Sequence, residues 1–392
     1  KERVNSARVR PLSYKITPDC VGDTVTFSLS RPRNLSVEVN GDIFHNLHLF
    51  ANPIDKFRPS DKEIQRALKK KKGSNLIYFG PGVHNLPNDT LFVPSGTTVY
   101  IDGGARVYGN IFTEGAHDVN IFGRGEVHPD GRGAGVWVRR SKNVRIDGIV
   151  VSQLPIGQCD SVELTNVKSI SYYGWGDGMD VFSSSNVILD GVFCRNSDDC
   201  AAVYASTQGF KGGSNNVLVK NATLWADVAH PINIGGHGDP NGMDTVQNVT
   251  FRNIDILDQA EKQVDYQGCL AINPGDNTLV RNITFENIRI EDFRNGQLVN
   301  FRISFNPKYC VSTGRGIQNV LVKDVTYNGS GENLSIIAGY DENHKISGIR
   351  FVNLVVNGRK ITDDMPGKPK WYKTGDMAGI FVGEHVENLS FE

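Results

Sequence analysis

Residues 174–204 read GWGDGMDVFSSSNVILDGVFCRNSDDCAAVY. Two acidic knots, Gly176-Asp177-Gly178-Met179-Asp180 and Asp198-Asp199, flank an alternating apolar segment, and 21 positions separate Asp177 from Asp198. If that interval is one coil of a repeating β-solenoid, the chain advances by one strand spacing, about 4.8 Å, and the knots stack. Carboxylates crowded on one face repel when all are ionised, so at least one should keep its proton near neutral pH. Each acidic pair on its own would read as a solvated turn; two pairs in register ask for more.

Outward from this stretch the chain repeats. A phrase Asn-(Val or Ile)-x-(apolar) recurs at Asn143, Asn186, Asn216, Asn248, Asn282 and Asn319, with degenerate copies at Asn166 and Asn388. The period of two inside each copy means strand, and the lack of helical periodicity leaves only loops between parallel strands. This predicts an all-β chain whose residues 75–392 form a right-handed parallel β-helix. Stacked Asn side chains at equivalent corners should form amide ladders, which accounts for Asn248-Val249-Thr250 and Asn282-Ile283-Thr284 without glycosylation. Coils lengthen after Asn186, and long loops on one face of a rigid stack are where a cleft is built.

Residues 1–55 have another texture. Short alternating runs such as Thr24–Leu29 and Leu35–Val39, punctuated by Pro, Gly, Asp and Asn, predict a small N-terminal β-sandwich. Residues 56–74 then form a connector and a capping helix. Ser60 and Glu63 make a capping box, Ile64, Ala67 and Leu68 share a face, and Lys69 to Lys72 close the helix at the negative end of its dipole. The helix is expected to cover the first, otherwise unpaired, coil.

Composition narrows the function. A chain of 392 residues, 39% hydrophobic with 42 Gly, is an ordered globular protein rich in turns. Its net charge of −1 leaves no polycationic surface for nucleic acid, and it holds no apolar run of about 18 residues to span a membrane. The start at Lys1 fits a mature chain whose leader has been removed, hence a secreted or periplasmic location. Cys20, Cys159, Cys194, Cys200, Cys269 and Cys310 are too scattered for a disulfide scaffold or a zinc site; Cys194 and Cys200 either bridge or lie buried as thiols.

The acidic knots resemble motifs of glycoside hydrolase family 28, the polygalacturonases: an Asn-Thr-Asp-Gly around Asp177, with Gly176 in place of Thr, and an Asp-Asp at Asp198-Asp199. His230-Pro231-Ile232-Asn233-Ile234-Gly235-Gly236-His237-Gly238 is similar to that family's histidine motif, in a register that puts His230 or His237 in the site. The front segment, with Val39-Asn40-Gly41-Asp42 and Asn46–Phe50, resembles the N-terminal domain of family 49, the dextranases and isopullulanases. The resemblance implies a pectin-lyase-like β-helix and metal-independent hydrolysis of α-glycosidic bonds with inversion. In it Asp198 is the acid, Asp177 and Asp199 activate water, and His230 tunes the pair. Asp180, His237, Tyr204, Trp175, Tyr266, Asn273 and Arg302 are expected to contact substrate, and Tyr172, Tyr173 and Trp225 lie near enough in sequence to stack on sugars.

One departure shapes the expected substrate. Where polygalacturonases place Arg-Ile-Lys on the coil after the histidine, this chain reads Cys269-Leu270-Ala271-Ile272-Asn273, and Arg302-Ile303-Ser304 comes one coil later without the lysine. Loss of a bidentate clamp on the uronate carboxylate favours a neutral, glucan-like or substituted glycan. The alternatives are a polygalacturonase-type pectin hydrolase, a calcium-dependent lyase using Arg195 as base, or a non-catalytic solenoid. The expected partner is a polysaccharide or oligosaccharide alone, bound by a monomer with no cofactor or metal.

Overall fold

The computed structural model of the chain describes residues 3–69, 73–129, 131–330 and 332–392. From Leu76 to Phe391, 29 strands join in one continuous sheet wound into a right-handed parallel β-helix, so the repeat is one stack and not a series of separate units. Each coil contributes up to three short strands. Lys142–Asp147, Asp160–Thr165, Ser185–Asp190 and Ser214–Lys220 line one face; Lys168–Ile170, Phe193–Asn196 and Thr223–Ala226 line a second. The third face carries Val181–Phe182, Ala201–Tyr204, Ile232–Ile234, Leu270–Ile272, Val299–Arg302, Ser335–Ala338 and Ile380–Val382.

The Asn repeat explains the winding. Asn143, Asn186, Asn216, Asn248, Asn282, Asn319 and Asn388 all take left-handed backbone angles, φ from 54° to 58°, a conformation that Asn tolerates better than other residues with a Cβ. Their amides then bond up the stack: Asn216 to Asn186 at 2.7 Å, Asn282 to Asn248 at 3.1 Å and Asn319 to Asn282 at 3.3 Å. The residue after each corner turns inward, so Val144, Val162, Val187, Val217, Val249, Ile283, Val320 and Ile349 stack in register along the core. All are essentially fully buried, each contributing about 1.5–3 kcal/mol.

The register corrects one copy of the repeat. Lys142 pairs with Asp160 and Asp160 with Ser185, so the partner of Asn143 and Asn186 is Ser161, itself left-handed at φ 59°. Asn166 stands at the next corner of the same coil. A second amide ladder runs through that corner, from Asn221 to Asn253 to Asn287.

At the front, Ala7–Arg10, Arg33–Val39 and Asp42–Ala51 form a three-stranded antiparallel sheet, and Asp19–Val21 pairs with Thr24–Thr26 as a hairpin. Val9, Leu35 and Val37 are its core, with Tyr14, Phe27 and Leu29 packed against them. This unit docks on the second face of the helix. Arg10 donates to Glu38 at 3.0 Å and to Glu291 at 2.7 Å, and its remaining nitrogen reaches the Leu257 carbonyl. Asp61–Leu68 is helical with both arms of the Ser60/Glu63 capping box formed, and it packs Ile64 against the first coil beside Leu76–Phe79. Lys69 is its C-cap; Lys70, Lys71 and Lys72 of the lysine run lie outside the described residues.

Candidate active site

The two acidic knots do stack. Both sit at the point where the chain enters the third face, Asp177–Asp180 before Val181–Phe182 and Asp198-Asp199 before Ala201–Tyr204. The Gly178 N–H donates to the Asp199 carbonyl at 2.8 Å, and the Cys200 N–H to the His230 carbonyl at 2.9 Å, which brings Asp177, Asp199 and His230 into one column on three successive coils. Glycine is required at Gly178, where a Cβ would collide with the Cys200 carbonyl and the Asn196 side chain. A side chain at Gly176 would meet Ser197 and the Tyr173 carbonyl, the physical reason this chain cannot carry a threonine there without rearrangement.

One carboxylate oxygen from each of Asp177, Asp198 and Asp199 lies within 4.8 Å of the others. Their environments divide them. Burial, opposed by few donors, pushes Asp198 up to about 7, with the Asp199 charge as the next cause. Asp177 is raised well above the carboxylate range by burial and then by the charges of Asp198 and Asp199, and the fully buried Asp180 is raised for the same reasons. Asp199 goes the other way. Burial alone would raise it, but the electrostatic pull of His230 and then the hydrogen bonds from His230 Nδ1 at 2.7 Å, Tyr204 Oη at 2.6 Å and Asn233 Nδ2 at 2.8 Å outweigh that, and the His230 N–H also donates at 3.1 Å. The arrangement therefore holds one carboxylate ionised next to carboxyls that keep a proton.

Every residue expected to act or to touch substrate lines a single cleft of about 330 Å³: Asp177, Asp180, Asp198, Asp199, Tyr204, Trp175, His230, His237, Tyr266, Asn273 and Arg302. The two histidines have different neighbours. His230 is bonded to Asp199, with its Nε2 buried and without a partner among the described residues, whereas His237 packs edge-on against Tyr204 at 5.0 Å. Burial lowers the His237 pKa. Asn273 donates to Asn300 at 3.1 Å. Arg302, on the strand stacked directly after Leu270–Ile272, pairs with Asp265 at 2.8 Å while its Nε is buried with no partner among the described residues.

Three aromatic residues lie elsewhere. Trp225 is fully buried between Arg195 and Arg10, 4.1 and 4.9 Å from its ring centroid, under the N-terminal unit. Tyr173 bonds Gly133 and Gln153, and Tyr172 stands in solvent outside the cleft. Cys194 and Cys200 are both buried free thiols. Sequence reasoning missed Asn233 and Glu261. Asn233 looked like any outward polar residue of a strand; its signal was its place three residues after His230. Glu261 is buried in the cleft wall, accepting from Ala229 N at 3.2 Å and Gln263 N at 2.7 Å, and nothing near it in sequence marks it.

The model of the glycosyl hydrolases of family 28 matches residues 136–365. A polygalacturonase of Juniperus ashei is 26% identical over 295 residues, covering 67% of this chain and 54% of the relative. The chain spans about half the length of the curated relatives it matches. Among solved structures, the family 28 exopolygalacturonase of Yersinia enterocolitica superposes with a TM-score of 0.58 at 13% identity, over 94% of this chain and 86% of that one. Dex49A from Penicillium minioluteum superposes with a TM-score of 0.64 at 14% identity, over 99% and 79%. At these identities the structural likeness establishes the fold alone.

Proposed function

Since the chain belongs to the glycosyl hydrolases of family 28, we propose that it hydrolyses α-galacturonosyl bonds of a pectin-type polymer with inversion. The observation that carries this reading is the stacking of Asp177, Asp198 and Asp199 in the cleft, with one carboxylate oxygen of each within 4.8 Å of the others, where Asp199 accepts from His230, Tyr204 and Asn233 and burial pushes Asp198 up. Asp198 gives its proton to the glycosidic oxygen as the bond to the anomeric carbon breaks. Asp199 takes a proton from the water that attacks the same carbon from the other side, and Asp177, holding its own proton, hydrogen-bonds and positions that water. His230 holds Asp199 in place. The carboxyl groups stand closer than the roughly 6.5–9.5 Å usual for inverting pairs, so the stereochemistry is read from the family, and the anomer first released checks it. A polymer of this kind is met outside the cytoplasm, and we propose that the enzyme works there, in the periplasm or beyond.

The leaning towards a neutral glycan is not supported. The missing cation at Asn273 suggests it, but Arg302 occupies the next position along the cleft with a buried Nε that has no partner among the described residues, and the relatives are named for galacturonan. We assign Arg302 to the uronate carboxylate, with Lys308, 5.2 Å from the Tyr266 ring centroid, as a second cation. The lyase alternative loses its base. Arg195 points away from the cleft, bonded to Asp227 at 2.8 Å and Asn46 at 2.8 Å.

Polygalacturonate should be cleaved at a rate that a chelator leaves unchanged, and Asp198→Asn should lower that rate by about 10²–10⁴ with circular dichroism unaltered. Arg302→Ala should raise KM for polygalacturonate far more than for a neutral glycan. Retention of more than about a tenth of the activity in Asp198→Asn would remove the acid from its role, and a better rate on a neutral glycan would remove the substrate assignment.

A further inference from the structure

All strands of the cleft-bearing face run the same way, so the loop entering one strand and the loop leaving its neighbour start at opposite edges of the sheet. Residues 260–269 enter Leu270–Ile272, and residues 303–313 leave Val299–Arg302. These loops meet. Asn306 Nδ2 donates to Tyr266 Oη at 3.0 Å, the Tyr266 and Tyr309 rings pack edge-on at 5.6 Å, and Lys308 Nζ lies 5.2 and 4.9 Å from the two ring centroids. Beneath them Arg302 reaches Asp265. Contact between opposite edges has to pass over the outer surface of the sheet, and Tyr266, Asn306 and Tyr309 all line the cleft. The loops therefore form an arch across the path that a polymer lying along the stack would follow.

The arch stands close to the acids. The strand after Asp199 is separated from Leu270–Ile272 by one intervening strand, two spacings of about 4.8 Å, which leaves roughly 10 Å. A hexose unit takes up about one such spacing. The cleft, at about 330 Å³, sits at the small end of the range for ligand sites, roughly 300–1,000 Å³. We infer that the groove is walled off on the Arg302 side and that the enzyme releases one or two sugars from a chain end instead of cutting within the chain. This rests on the polyuronate reading above and goes on to name the form of the substrate: a free terminus.

The test is digestion of polygalacturonate by the wild-type chain, with products separated from the earliest time points and viscosity followed alongside. One short product throughout, with viscosity falling late relative to new reducing ends, is the expected result. A ladder of intermediate oligomers with an early collapse of viscosity would overturn chain-end action while leaving the hydrolase reading intact; absence of any release would overturn both. Opening the arch with Tyr266→Ala and Asn306→Ala should add longer oligomers to the product, several-fold above their wild-type share. A product unchanged in an opened, folded variant would mean that the arch does not set the cut, and the inference fails.

Discussion

Burial first and the charge on Asp199 second set how Asp198 behaves. Asp177 is itself raised by burial, and a carboxyl that holds its proton exerts no net charge on its neighbour, so Asp199 is the partner whose removal matters. Asp199→Asn should lower the Asp198 pKa from about 7 part of the way to the ordinary carboxylate value, because burial, the larger cause, remains. Carboxyl NMR titration reads this without needing turnover, and an unmoved Asp198 would separate the two charges. In the wild-type enzyme the rate should decline as pH rises through about 7, where Asp198 loses the proton it must donate. The acidic residues were legible in sequence because a spacing of 21 matches one coil. Asn233 was not, since an amide on a strand carries no mark of what it donates to.

The coil is the unit in which strain and bonding balance. Asn248 pays for a left-handed backbone, φ 56°, with bonds to Asn215 at 2.8 Å and from Asn282 at 3.1 Å. Asn248→Ala keeps the strain and loses both bonds, an expected cost of about 2–3 kcal/mol. Asn248→Gly loses the bonds but relieves the strain, so urea midpoints should rank wild type above glycine above alanine. Equal losses for the two substitutions would show that backbone conformation is not what selects Asn at the corner. The periodic Asn makes the β-helix readable, yet Asn166 stands at the next corner of its coil and not at that of Asn143 and Asn186. The coil from Asn143 spans only 18 residues before Ser161 takes the position, and a serine does not announce a ladder.

At the scale of the molecule, Arg10 clasps the N-terminal unit to the solenoid. Its side chain is 4% exposed, and it faces Glu38 and Glu291, at 0% and 9%. Arg10→Ala would leave the buried Glu291 without its cation, while Glu38 keeps Arg8 at 2.7 Å, and should cost about 3–5 kcal/mol in unfolding free energy. Adding Glu291→Gln should restore much of that loss; no recovery would assign Arg10's contribution to packing against Trp225 instead. The front strands were visible as alternating runs, but their docking was not. Arg10 and Glu291 are 281 positions apart, and no local pattern links them.

That separation has a consequence for synthesis. At roughly 5–20 residues per second, Glu291 follows Arg10 from the ribosome by about 15 to 55 s. Glu38, only 28 positions away on the paired strand, emerges early and neutralises Arg10 in the interval. The front sheet can thus assemble around an internal ion pair and wait, while the acid-bearing coils wind up behind it. The nascent enzyme is fastened shut only when the coil that bears Glu291 arrives.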